Sequence, residues 1–201
     1  MKRFCAALSV FVSLAAPAGA VSISKSYGYF TIGGATLDEI ETELARRGPE
    51  VKTTGMRHPG ATQMEFSTRL RYAETKAKCE IDKATVTLKV KVILPRWRRP
   101  AKAEPDVKLV WDTLEADIRR HEESHVVIAK NHARDLEQAL MKLPAEKDCK
   151  TAAAKAKALQ QRILAKHDRA QEEFDRVETI NFERRLTRLM RYRLERMQKV
   201  Q

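Results

Sequence analysis

The sequence predicts an α+β fold: a small N-terminal antiparallel sheet with one helix, followed by a long helical hairpin carrying an HExxH motif, and a basic C-terminal helix. Three observations lead there. Apolar and polar residues alternate with period two through much of the first half, and apolar residues recur at helical spacing through the second half. Between the halves the composition changes at a proline-bounded basic segment, PRWRRPAKAEP at 95–105. A chain of 201 residues that is 43% hydrophobic and 33% charged can bury one core, which argues against wholesale disorder. No run of 18 apolar residues is present, so no helix is expected to span a membrane.

Residues 1–20 read as a signal peptide. Lys2-Arg3 precedes the apolar run Phe4–Ala16, and Ala18-Gly19-Ala20 supplies the small-residue cleavage pattern. Lys2 and Arg3 account for two of the twelve net positive charges, so the remainder of the chain stands at +10. Two cysteines follow, Cys79 and Cys149. In an oxidising compartment they form a disulfide worth roughly 3–5 kcal/mol or, as the alternative, two separate buried thiols. No CxxC or Cys/His cluster makes them metal ligands.

Beyond the leader, Ile23–Ile32 reads as an aromatic-bearing strand that ends at Gly33-Gly34. Thr36 with Glu39 forms a capping box, Leu37, Ile40 and Leu44 form the apolar stripe, and Gly48-Pro49 stops the helix. Residues 50–61 read as a loop. Met64, Phe66, Thr68, Leu70 and Tyr72 then alternate with polar residues, as do Val86, Leu88, Val90, Val92 and Leu94, which suggests a hairpin or meander. Leu109–Leu143 is one long helix, and a second runs from Cys149 to about Glu178. Phe182–Gln201 carries six arginines and a lysine around Leu186, Leu189, Met190 and Leu194, which predicts a separate basic amphipathic helix. The expected organisation is 1–20 leader, 21–180 main domain (21–95 α/β part, 106–180 helical hairpin) and 181–201 basic tail.

The chemistry sits on the first long helix, at His121-Glu122-Glu123-Ser124-His125. Histidines at i and i+4 project from one face and can share a zinc ion, while Glu122 points to the neighbouring face as general base. Zinc lowers the pKa of a coordinated water to about 7 and prepares it to attack a carbonyl. Leu114, Ile118, His121, His125 and Ile128 follow one helical stripe, so both imidazoles are expected at a buried face where they require partners. The competing reading is two histidines hydrogen-bonded to core carboxylates.

A third ligand must come from elsewhere. In an antiparallel hairpin the level of His121–His125 falls opposite about residues 166–172 at 1.5 Å per residue. Asp175 is the first choice, with Glu178 and Glu172 as alternatives, and each also reads as part of a solvated acidic face. His132, seven residues past His125, lies about 10 Å along the axis and reads as core or as support for the ligands. His58, in a loop, and His167, opposite the site, are candidates for steadying an oxyanion.

The chain resembles the bacterial family of predicted secreted zinc-dependent proteases, long filed as a domain of unknown function. The resemblance rests on YGYFTIGG, ARRGPEV, CEIDKATVTLKVKVILPRW, Trp111 ahead of HEESH, Cys149 and FDRVE at 174–178, spanning roughly residues 25–180. It implies a zincin-like peptidase domain over 21–180, with His121 and His125 as zinc ligands, Glu122 as base, a Cys79–Cys149 disulfide, and Asp175 or Glu178 as the late acidic ligand. The chain departs from the family pattern at Thr179–Phe182, which has neither a glycine nor a histidine.

The expectation is therefore a secreted or periplasmic zinc metallopeptidase acting on a peptide or protein substrate. The alternative is a non-catalytic basic envelope module that binds a protein partner or an anionic surface through its tail. Nucleic-acid binding is disfavoured, because export removes the usual partner and no stacking aromatics accompany the arginines.

Overall fold

A computed structural model describes residues 21–51 and 55–199. The expected leader, residues 1–20, lies outside the described residues. The elements run β1 (Ser22–Ile32), α1 (Leu37–Arg47), β2 (Glu50–Val51), β3 (Met56–Arg57), β4 (Ala61–Glu74), β5 (Cys79–Trp97), α2 (Pro105–Met141) and α3 (Cys149–Gln198). The α+β class is as expected. Among the described residues no helix is long and apolar enough to cross a membrane.

The sheet corrects the expectation in one respect: it is mixed, not antiparallel. Its order is β1-β5-β4, with β4 antiparallel to β5 and β1 parallel to it. Alternation fixes which face of a strand is buried and says nothing of the direction of its neighbour. The one apolar face of β5, from Ile81 through Leu94, packs on α2 and α3 with Ala129, Ala133, Leu136, Leu140, Leu159 and Ile163. A second cluster joins Ile32, Ile40 and Leu44 to Trp97 and Trp111, seating α1 against the first part of α2.

Strand β5 continues through Pro95 to Trp97, where the sequence suggested a connector. Val86 and Arg98 both donate on the β1 side, so the nitrogen of Pro95 faces the β4 side. There β4 has already ended at the Ala61–Ile93 pair, so the missing N–H breaks no ladder bond. Pro105 sits in the first turn of α2, which the missing N–H of proline suits. Residues 50–57, expected as loop, hold the two-residue strands β2 and β3. The basic tail is not a separate helix. Residues 150–198 contain neither Gly nor Pro, and α3 runs unbroken for 50 residues.

The capping box forms as read: Thr36 accepts from the Glu39 amide and the Glu39 carboxylate accepts from the Thr36 amide. The C-cap position of α1 requires a glycine, Gly48, for a steric reason, since a Cβ there would lie 2.1 Å from the His58 carbonyl oxygen. The segment leading to β4 is held there by the His58 N–H, which donates to the Pro49 carbonyl at 3.0 Å, and by Arg57, which donates to the Gly48 carbonyl at 2.7 Å.

Strand β1 is shorter than β5, which leaves the first part of one β5 edge without a strand partner. Three groups close that edge. The backbone of Glu146 pairs with Cys79, the sulfur of Met141 lies 3.1 Å from the Ala84 nitrogen, and the buried carboxylate of Glu137 accepts from the Val86 N–H at 2.9 Å. Glu137 and Met141 are one turn apart on α2, matching two alternate amides of the strand. The Cys79–Cys149 disulfide then ties the start of β5 to the start of α3 across a separation of 70 residues.

Two stability outcomes follow. Glu137→Ala strands the buried Val86 N–H and lowers stability by about 1–3 kcal/mol, whereas Glu137→Gln, which keeps an acceptor, costs less; urea midpoints of the two variants check the order. Replacing both Cys79 and Cys149 by alanine frees a long loop and costs about 4 kcal/mol, read from the same denaturant series.

Candidate metal centre

His121 and His125 stand one turn apart on α2, with their Nε2 atoms 3.1 Å apart and their rings nearly perpendicular at 84°. Phe174 of α3 packs on both imidazoles, with centroids at 5.0 and 5.1 Å. Next to it, Asp175 brings Oδ1 to 3.2 Å from His121 Nε2 and 3.0 Å from His125 Nε2. Four ligands held tetrahedrally at 2.0–2.1 Å are spaced about 3.3 Å apart, so this triangle has the edge lengths of one face of such a site. Two imidazole nitrogens and one carboxylate oxygen are also a donor set that zinc accepts. Among the described residues this is the cluster of His, Cys, Asp or Glu able to hold a metal ion. His125 is buried, while the Asp175 side chain is 54% exposed, so the cluster opens to solvent on the α3 side.

The electrostatics follow from these contacts. Burial disfavours the charged form of Asp175, yet hydrogen bonds with His121 and His125 outweigh it and hold the carboxyl below the ordinary carboxylate range. For His125, burial would lower the pKa, but Asp175 and Gln171 together raise it.

The two glutamates between the histidines have different surroundings. Glu122 is 5% exposed, and its Oε2 accepts from the Thr62 hydroxyl of β4 at 2.7 Å. Gly60 allows this fit, because a Cβ there would lie 2.8 Å from Glu122 Oε1. Burial pushes the Glu122 carboxyl up, with Thr62 opposing. Glu123 turns to the sheet edge instead, where it accepts from the Tyr27 hydroxyl at 2.6 Å and pairs with Lys25. A cavity of about 280 Å³ opens beside Glu122 and His121, walled by His58, Pro59, Ile118 and Phe182.

A buried ion-pair network sets the level of α3. Asp117, 4% exposed, accepts from Arg185 Nε at 3.0 Å and Nη2 at 3.1 Å, and Arg185 also donates to the Glu178 carbonyl at 3.2 Å. Against their burial, Arg185 and Arg120 keep the Asp117 carboxyl below its usual range. Glu178, read as an alternative ligand, has an oxygen 3.6 Å from His121 Nδ1 but is engaged by Arg120 and Arg185. Glu172, the other alternative, is exposed. His58 lines the cavity with Glu122. His167 does not; it is 6% exposed behind His125, edge-on to Phe66 and His132. His132 contacts the Ile128 carbonyl at 2.9 Å.

Sequence reasoning missed Thr62, Gly60, Gln171 and the Asp117–Arg185 pair. One signal was available for Gln171: His167, Gln171 and Asp175 recur every four residues on α3, a polar stripe on the face that meets α2. Nothing local marks Thr62 or Gly60, because their role depends on where β4 lands against α2.

No curated protein and no solved structure gives a significant match to the chain. The sequence profile of a family described as bacterial proteins of unknown function, DUF922, matches residues 27–182. That span runs from β1 to just past the α3 contribution to the cluster, so the chain belongs to this bacterial family, DUF922.

Proposed function

We propose that the chain is an exported zinc-dependent peptidase with His121, His125 and Asp175 as metal ligands and Glu122 as general base. The observation that carries this reading is the donor triangle with edges of 3.0, 3.1 and 3.2 Å, beside a buried glutamate that immediately follows the first histidine. Bound there, zinc supplies Lewis acidity that activates water and polarises a peptide carbonyl.

The chain's own groups supply the rest. Glu122, raised by burial toward the working range of a general base, accepts a proton from the attacking water and returns it to the leaving amine. Thr62 holds Oε2 of that carboxylate in place. Strand β4 is an edge strand whose second residue is Thr62, so its main chain can align an extended peptide beside Glu122. The cavity walled by Pro59, Ile118 and Phe182 suits an apolar side chain of that peptide. His58, on the same wall, is a candidate to steady the oxyanion. The disulfide is compatible with the oxidising compartment that export implies.

A second reading, a non-catalytic envelope module, draws on the row of Arg184, Arg188 and Arg191 along one face of α3. Zinc binding without peptide hydrolysis, together with retention on anionic vesicles that is lost in an Arg184/Arg188/Arg191→Ala variant, would favour it.

The peptidase reading expects one zinc per wild-type chain, with zinc lost from His125→Ala and Asp175→Ala. Glu122→Gln should keep the metal while casein hydrolysis falls by roughly 10²–10⁴-fold. Full zinc in both ligand variants would remove the ligand assignment, and equal casein turnover by Glu122→Gln would remove the mechanism.

A further inference from the structure

Behind His125, on the side away from Asp175, lies a chain of polar side chains, buried at His125 and His167 and reaching solvent at Asp168, that the peptidase mechanism does not use. His125 Nδ1 is 2.6 Å from Gln171 Oε1. The other end of the same amide, Gln171 Nε2, is 3.2 Å from the His125 carbonyl oxygen and 2.8 Å from His167 Nε2. His167 Nδ1 in turn lies 3.0 Å from Asp168 Oδ1.

With both imidazoles neutral, these contacts have one consistent set of proton positions; a hydrogen bond from His125 Nε2 to Asp175 belongs to the protonated ring. A backbone carbonyl can only accept, so the Gln171 atom facing the His125 carbonyl is the amide nitrogen. The atom facing His125 Nδ1 is therefore the amide oxygen, and Nδ1 must carry the hydrogen. The second amide hydrogen points to His167 Nε2, which is then the bare nitrogen of that ring. His167 keeps its hydrogen on Nδ1 and donates it to Asp168. Each link leaves the next no choice of tautomer.

We propose that Gln171 is a positioning residue that, backed by His167, locks the neutral His125 in its Nδ1–H tautomer and so presents a bare Nε2 to Asp175 and His121. The consequence at the cluster is specific. A neutral His125 in this tautomer brings an unprotonated nitrogen to within 3.0 Å of a carboxylate oxygen and 3.1 Å of the His121 nitrogen, an arrangement of converging lone pairs that calls for a cation. Outer partners of this kind fix the ring orientation and basicity of a ligating histidine, and losing them costs roughly 10–100-fold in metal affinity. The consequence for metal rests on the zinc reading above; the tautomer does not.

The test separates the two. Long-range ¹H–¹⁵N spectra of the metal-free protein, taken well above the imidazole titration range, report the tautomer of each histidine directly. His125 and His167 are both expected as Nδ1–H in the wild type. Gln171→Leu should release His125 to the Nε2–H form or a mixture, and Gln171→Glu, which keeps an oxygen facing Nδ1, should restore Nδ1–H. Zinc affinity by chelator competition should fall roughly 10–100-fold in Gln171→Leu with the far-UV spectrum unchanged. His167→Phe, which leaves Gln171 without its anchor, should fall between the two. An Nε2–H His125 in the wild type overturns the proposal, as does Gln171→Leu with unaltered tautomer and zinc affinity. If wild-type His125 is Nδ1–H yet zinc does not bind, the role of Gln171 stands and the metal reading fails. Should Gln171→Leu not fold, the wild-type spectrum together with Gln171→Glu and His167→Phe decides the matter.

Discussion

The candidate site depends on holding α2 and α3 antiparallel at one axial register. Asp175 lies fifty residues beyond His125 in sequence and meets it only because the two helices run side by side. A slip of one residue would shift the aspartate by about 1.5 Å and turn it by 100°, removing it from the imidazoles. Two clamps bracket the cluster against such a slip. On one side Gln171 joins His125, and on the other Arg185 grips Asp117 with two nitrogens while Arg120 and Glu178 close the pair from outside. The Arg185–Asp117 pair is nearly dry, a setting in which removing either partner is costly and the geometry of the pair selects one register. The disulfide fixes the far end by anchoring the start of α3 to β5.

Helix α2 is the element on which these constraints converge. It buries Thr113, Asp117, Glu122, His125 and Glu137, an unusual polar load for the helix that covers a sheet. Each has an identified partner: the Leu109 carbonyl, Arg185, Thr62, Gln171 and the Val86 amide, in that order. Buried polar groups satisfied in this way rigidify the helix, and they come from four different parts of the fold. The site is thus preorganised by the same contacts that close the β5 edge and seat α3. Glu122 illustrates the coupling: its setting depends on Gly60 and Thr62, and these depend on Gly48 letting the His58 segment approach α1.

Much of this was legible from local pattern. The capping box at Thr36 and Glu39, the alternation of β4 and β5, the two long helices, and the placement of both histidines on one helical face all follow from rules that act within a few residues, and the cysteine pair follows from there being two cysteines beyond the leader. Counting residues along the hairpin placed the opposing level at 166–172, a range that contains Gln171 and stops three residues short of Asp175. The errors share a cause. The direction of β1, the strand character of Pro95 to Trp97 and the continuity of α3 through residue 181 depend on what lies alongside, which periodicity does not encode.

By itself, the sequence determined most of the helical and strand segments, the motif with its two imidazoles and adjacent carboxylate, and the acidic stretch from which a third ligand could come. Those properties are set by side-chain chemistry and by spacing over one or two turns. The tertiary structure decided which acid reaches the histidines, which of the two glutamates is buried against Thr62, and which face of His125 is turned to the cluster. Each of those choices joins residues tens of positions apart, and only packing in three dimensions brings their atoms within the 3 Å or so over which a hydrogen bond acts.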